Sequence, residues 1–172
     1  MLSPELEADM NRQIAAELSS SHRYLAVSAY FEAESLPGFA HWFRVQAEEE
    51  RDHAMRFFAQ VVDRGGRVRI EALEAPPDDF GSPLGALEGT LEHERTVTGM
   101  IDALFGEAVR QGDYASQVFL QWFVQEQVEE EKQAADLVRM LSTVGSDPVS
   151  LLMLDRELGA RSPRAGGAAS GG

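Results

Sequence analysis

Glu50 and His53 stand three positions apart in a strongly charged stretch, Gln46-Ala47-Glu48-Glu49-Glu50-Arg51-Asp52-His53. On a helix, side chains at this spacing share a face one turn apart, so one cation could touch both the carboxylate and the imidazole. The surrounding pattern sets which face that is. Phe39, Phe43, Gln46, Glu50, His53, Phe57 and Gln60 recur in alternating steps of four and three, the spacing of core-facing helix positions. Glu50 and His53 therefore point where Phe43 and Phe57 point. A carboxylate on that side is costly unless it is protonated, paired or bound to a metal. A single Glu-x-x-His also fits an ordinary solvated acidic face, so the remainder of the chain has to decide.

Three further stretches carry the same kind of intrusion. Ser3-Pro4 reads as an N-cap with proline at the first helical position, opening a helix to about Ser35. Its seam is Met10, Ile14, Glu17, Ser21, Tyr24, Ser28 and Phe31, with Glu17 the acidic member. The helix of Glu50 should start near Phe39, after Pro37-Gly38, and stop at Gly65-Gly66. Ser82-Pro83 repeats the starting signal for a third helix, to about Arg110 before Gly112. Its seam runs Leu84, Leu87, Leu91, Glu94, Thr98, Ile101, Phe105, Ala108. Asp113 caps a fourth helix to about Val144, with the seam Leu120, Phe123, Gln127, Glu130, Ala134, Leu137, Leu141 and Val144.

Connections set the arrangement. The short link between the first two helices makes them antiparallel neighbours. The second helix should be roughly 39 Å long. The segment from Arg67 to Ser82, with a brief extended piece expected at Arg67–Ile70, could span roughly 50 Å. It can therefore cross the length of a bundle and start the third helix parallel to the second. Asp147-Pro148 opens a short fifth helix to about Leu158, apolar at Leu151, Leu152, Leu154 and Leu158, which must dock to be stable. The expectation is an all-α chain: one helical domain over 1–159 and a flexible Gly/Ala/Ser-rich tail over 160–172.

The intruding residues obey one offset. Glu17 and Glu94, Glu50 and Gln127, and His53 and Glu130 are each 77 positions apart. The two helix pairs read as copies of one hairpin, each bringing a Glu and a pair at i, i+3. Counted from the turns, all six residues fall at mid-height. So many carboxylates in one dry place cannot all be ionised without a counter-charge. Two divalent cations would supply it, and oxygen ligands with one imidazole suit iron or manganese better than soft metals. A buried polar network held by shared protons is the competing reading. Five ionisable groups plus Gln127 at matched levels favour metal.

Composition narrows the classes. A net charge of −14 argues against nucleic acid and anionic membranes as partners, and suits a chain that handles cations. The absence of cysteine excludes disulfides, Cys-ligated clusters and thiol catalysis. No apolar run is long enough to span a bilayer, and the start is not a signal peptide, so a cytoplasmic protein is expected.

With Glu17, Tyr24, Glu49-Glu50-Arg51-Asp52-His53, Glu92-His93-Glu94-Arg95 and Leu120-Gln121-Trp122-Phe123 followed by Glu126-Gln127-Val128-Glu129-Glu130-Glu131, the chain resembles the non-haem bacterial ferritins. The resemblance covers roughly residues 3–160. It implies a ferritin-like four-helix bundle with a long crossover between the second and third helices and a short fifth helix. It implies a ferroxidase centre with two irons per subunit. Glu17, Glu50 and His53 would hold one; bridging Glu50, Glu94 and Glu130 would hold the other. Gln127 would lie near the bound oxygen species. Gln127-x-x-Glu130 replaces the second Glu-x-x-His of the general di-iron pattern, a substitution normal in ferritins. It implies O2 or H2O2 as oxidant, and Fe(III) mineral stored in a homo-oligomeric shell of 24 subunits. Arg51 stands where bacterioferritins carry the methionine that binds haem, so no haem is expected. Carboxylates placed like Glu49, Glu126 and Glu129 form a third iron site in bacterial ferritins; the same positions equally suit a solvated acidic face. Tyr24 would be an electron donor and hydrogen-bond partner, or else a core tyrosine with a satisfied hydroxyl. Trp122 reads as core packing, with a redox role as the alternative. His22, His41 and His93, off the seams, are expected to be exposed.

The rival function is a di-iron oxidase or peroxidase with a fixed metal cofactor and no mineral store. Missing cysteines count against rubrerythrin-like proteins, and the missing second His against substrate-oxidising relatives. A cage-forming bundle without a working centre ranks last, because every expected ligand is present. Mini-ferritins, which place iron between subunits, generally lack the fifth helix and this ligand set.

Overall fold

The structure is a computed structural model, described for residues 1–145 and 147–162; of the tail expected over 160–172, residues 163–172 lie outside the described residues. Five helices follow in order: α1 (Pro4–Ala33), α2 (Pro37–Asp63), α3 (Pro83–Gln111), α4 (Tyr114–Val144) and α5 (Pro148–Leu158). The caps are the ones the sequence signals. Ser3, Ser82, Asp113 and Asp147 each accept a backbone N–H of the first helical turn, and Gly112 ends α3 in the left-handed conformation.

The first reversal differs from expectation. Pro37 does not delay the second helix to Phe39; it is the first residue of α2, where its fixed φ suits a helix start. The break falls earlier, where Ser35 takes a φ of 60° and the Leu36 N–H closes onto the Phe31 carbonyl. α1 and α2 then run antiparallel, with Ser28 Oγ donating to the Ala40 carbonyl and Ser21 Oγ to the Ala47 carbonyl. α3 and α4 form the second hairpin. α3 also runs antiparallel to α1, with Ser20 beside His93 and Arg23 beside Gly89. It is therefore parallel to α2, as the long crossover requires. That crossover is irregular, and Arg67–Ile70 form neither helix nor strand. Asn11 of α1 holds its backbone, donating to the Arg67 carbonyl and accepting from the Arg69 N–H.

Two apolar clusters fill the bundle. One gathers Phe31, Phe39, Phe43, Leu87, Leu137 and Leu141. The other gathers Met10, Ile14, Phe57, Ile101, Leu120 and Phe123. On every long helix the acidic intruders fall between the positions that feed these clusters, so a polar layer sits at mid-bundle. α5 packs on α2 and α4. Its inward face is Leu151, Leu154, Asp155 and Leu158, whereas Leu152, expected on the apolar side, is 55% exposed. The i, i+3, i+4, i+7 rhythm of the buried set explains this, because Leu152 falls outside it.

Candidate metal centre

Glu17, Glu50, His53, Glu94, Gln127 and Glu130 are all buried, each 5% exposed or less. Two groups of ligand atoms form among the described residues: Glu17, Glu50 and His53, and Glu50, Glu94 and Glu130. Within each group the atoms lie within 4.8 Å of one another, and Glu50 belongs to both. α1, α2, α3 and α4 all contribute, which is what the shared offset requires.

Polar neighbours orient the carboxylates. Gln13, one turn before Glu17, donates to Glu17 Oε1 at 2.8 Å. Gln46, one turn before Glu50, donates to Glu50 Oε1 at 3.2 Å and to Glu130 Oε2 at 2.6 Å. The Tyr24 hydroxyl donates to Glu94 Oε1. Gln127 turns its amide nitrogen to Glu94 Oε2 at 3.3 Å and to Thr98 Oγ1 at 3.3 Å. His53 Nδ1 lies 3.3 Å from Glu50 Oε2, and its ring stands in T-shaped contact with Trp122 and Phe123. The Arg56 guanidinium covers Trp122.

Electrostatically the layer is short of positive charge. No Lys or Arg pairs with Glu17, Glu50 or Glu94 among the described residues, and Glu17 Oε2, fully buried, has no hydrogen-bond donor. Burial, and then the charge of Glu50, pushes the Glu17 carboxyl well above the usual range. Burial, followed by Glu94 and Glu130, does the same to Glu50. Glu94 is also raised by burial, against the hydrogen bond from Tyr24. The Tyr24 hydroxyl is raised by burial and by Glu94, so it is a proton donor throughout the physiological range. Such a layer takes up protons or cations. Four carboxylates match the charge of two divalent ions, and each three-residue group offers one ion a partial oxygen-rich shell.

A family model described as a ferritin-like domain matches residues 7–144. The chain belongs to the ferritin family. Two bacterial non-heme ferritins are similar over 161 residues, covering 94% of this chain. That of Bacteroides fragilis is 40% identical and covered completely; that of Staphylococcus aureus is 38% identical and 97% covered. Among solved structures, an open pore ferritin from the hyperthermophilic archaeon Archaeoglobus fulgidus is 46% identical, with a TM-score of 0.93 over 94% of this chain and 100% of that one. A humanized archaeal ferritin is 43% identical with the same TM-score, over 94% and 98%. The all-α ferritin bundle with its crossover and fifth helix is thus the fold of this chain.

The remaining expected site residues lie outside these two groups. No group of three within 4.8 Å among the described residues includes Glu49, Glu126 or Glu129. Glu49 instead pairs with Arg161, which follows α5. His22 is exposed as expected, but His41 and His93 are half-buried. His93 faces Ser20 Oγ at 2.8 Å and meets Tyr24 edge-on; burial and Arg23 hold it down at about 4, as a neutral ring. Its burial was hidden because it lies off the seam of α3, on the side covered by α1. Gln13 had a usable signal, four positions before Glu17. Asp155 and Arg161 had none, because their partners lie more than a hundred positions away.

Proposed function

We propose that this ferritin-family chain oxidises Fe(II) at the mid-bundle layer and stores the Fe(III) product inside a shell of its own copies. The observation that carries this is the sharing of Glu50 between two three-residue groups. It sets two ions side by side, as a reaction that takes one electron from each requires. Glu17, Glu50 and His53 hold one iron, and Glu50, Glu94 and Glu130 the other. Two Fe(II) give up two electrons, and O2 is reduced to peroxide, or H2O2 to water. Oxidation raises the total iron charge from four to six against four carboxylates. Oxide or hydroxide must then enter, or iron must leave, and an all-oxygen second group without imidazole holds its ion loosely enough for transfer. Tyr24 holds Glu94 in place and is near enough to supply an electron, Gln127 lies against the same carboxylate, and Glu49, Glu126 and Glu129 are candidates for a later third iron. Family membership supports the 24-subunit shell. The acidic composition and the lack, among the described residues, of any helix able to cross a membrane support a cytoplasmic location.

The test is an aerobic Fe(II) titration, with iron per chain counted after gel filtration. Retention far beyond the two ions that the layer can hold supports storage. Two per chain and no more would replace this reading with a fixed di-iron oxidase, and none at all would remove the metal centre.

A further inference from the structure

Arg161 lies three residues past the end of α5, yet its side chain is only 13% exposed. Its seat is built from α2. One guanidinium nitrogen donates to Gln46 Oε1 at 2.8 Å and reaches the Trp42 carbonyl at 3.4 Å. The other pairs with Glu49. The guanidinium lies over the Trp42 ring, 4.4 Å from its centroid, and His41 Nε2 sits 2.9 Å from the Arg161 carbonyl. A ring, a carboxylate and two carbonyl-type oxygens thus hold one arginine, using the fork and flat face that lysine lacks.

What the seat fixes is the amide of Gln46. A primary amide has one accepting and one donating end. Arg161 occupies the accepting end, so the donating end faces Glu50 and Glu130, which it reaches at 3.2 and 2.6 Å. Glu50 is common to both ligand groups and Glu130 belongs to the second. We infer that Arg161 is a positioning residue of the metal centre, acting through Gln46 to hold Glu50 and Glu130 in ligating orientation. The segment after α5 is thereby part of the site that the four long helices form. This inference rests on the metal-centre reading above.

Groups that orient ligands in this way typically change metal affinity by about 10- to 100-fold when removed. The experiment is calorimetric titration of the full-length protein with Zn(II), which needs no oxidation. Wild type should take up two equivalents. Arg161→Ala should weaken the equivalent held by Glu50, Glu94 and Glu130 about tenfold or more and the other, through Glu50, by less, and Arg161→Lys should act in the same direction. Gln46→Ala should do at least as much, and the double variant no more than Gln46→Ala alone, because one route carries both effects. Melting curves confirm that the variants keep the bundle. Unchanged Zn(II) binding in Arg161→Ala, or losses that multiply in the double variant, would overturn the inference and leave the centre standing. No uptake by wild type would overturn the centre itself, and this inference with it.

Discussion

Asp155 in α5 caps α2 at Gly38, 117 positions away in sequence: its Oδ1 accepts the Gly38 N–H at 2.8 Å and the Phe39 N–H at 3.0 Å. These are the second and third residues of α2, whose N–H groups an N-cap side chain normally takes. The residue in the N-cap place is Leu36, which makes no such bond. The fifth helix therefore completes the second. The glycine is required by contact rather than by conformation. A Cβ at residue 38 would lie 1.7 Å from the Asp155 carbonyl oxygen and 2.5 Å from its carbon, both backbone atoms that cannot yield alone.

Gly38→Ala should accordingly push α5 off α2, at a cost of about 3 kcal/mol. Asp155→Ala, which removes only the cap, should cost about 1–2 kcal/mol, and Asp155→Asn, which keeps an acceptor, less. Thermal or denaturant melts give these values. A Gly38→Ala protein as stable as wild type would mean that α5 does not dock as described.

Glu50 is the one ligand that both groups share. Glu50→Ala should therefore weaken both metal equivalents by about a hundredfold or more, whereas Glu17→Ala or His53→Ala should weaken only one. Zn(II) titration separates the cases without oxidation chemistry. Fe(II) oxidation should slow in all three, most in Glu50→Ala. Equal loss of both equivalents in Glu17→Ala would contradict the division into two groups.

Tyr24 is fully buried, and its hydroxyl donates to Glu94. In Tyr24→Phe the ring still fills its place between Phe43 and His93, but Oε1 of a raised, buried carboxyl loses its donor while Gln127 keeps Oε2. The expected cost is about 1–3 kcal/mol of stability in the metal-free protein. Fe(II) oxidation should slow while Zn(II) is still bound. Stopped-flow absorbance at saturating Fe(II) measures the rate, and an unchanged rate would confine Tyr24 to a structural role.

Much of the layer was legible because helix periodicity alone puts Glu17, Glu50, His53, Glu94, Gln127 and Glu130 on inward faces, and equal offsets put them at one height. The helix starts were legible because Ser-Pro and Asp caps are local chemistry. What stayed hidden depends on how helices cross. No spacing marks Asp155 as the cap of α2, because its partners Gly38 and Phe39 meet it only once α5 lies against α2. Arg161 looked like one charge in a Gly- and Ala-rich tail. His93 is off its own seam and is covered only because α1 runs beside it. Gln46 was on the seam, but its two-ended role needs a partner that no spacing announces.

The carboxylates of the metal-free layer should make the protein less stable as the pH rises. In the unfolded chain Glu17, Glu50 and Glu94 titrate near 4.5, whereas in the fold burial and mutual repulsion raise all three. Above 4.5 the folded state thus holds protons that the unfolded state has lost. Their contribution is complete below 4.5 and disappears as the pH rises through the raised values. His93 acts oppositely, because its ring is held down at about 4 against 6.5 in the unfolded chain, so stability from that site grows between those values. The carboxylate effect is therefore read well above 6.5, once His93 has lost its proton in the unfolded chain as well. Asp113, Asp136 and Asp147 are lowered from 3.8 and contribute no slope there. The melting temperature of chelator-treated protein should fall as the pH is raised beyond the range in which His93 titrates in the unfolded chain, because Glu17, Glu50 and Glu94 are all raised by burial. Glu50→Gln should flatten the decline, and Zn(II) should abolish it, because the cations then supply the charge that the protons had supplied. Zn(II) binding should also release protons, visible as a dependence of the heat on the buffer. A metal-free melting temperature that holds constant or rises over this range would mean that the four carboxylates do not share one dry layer.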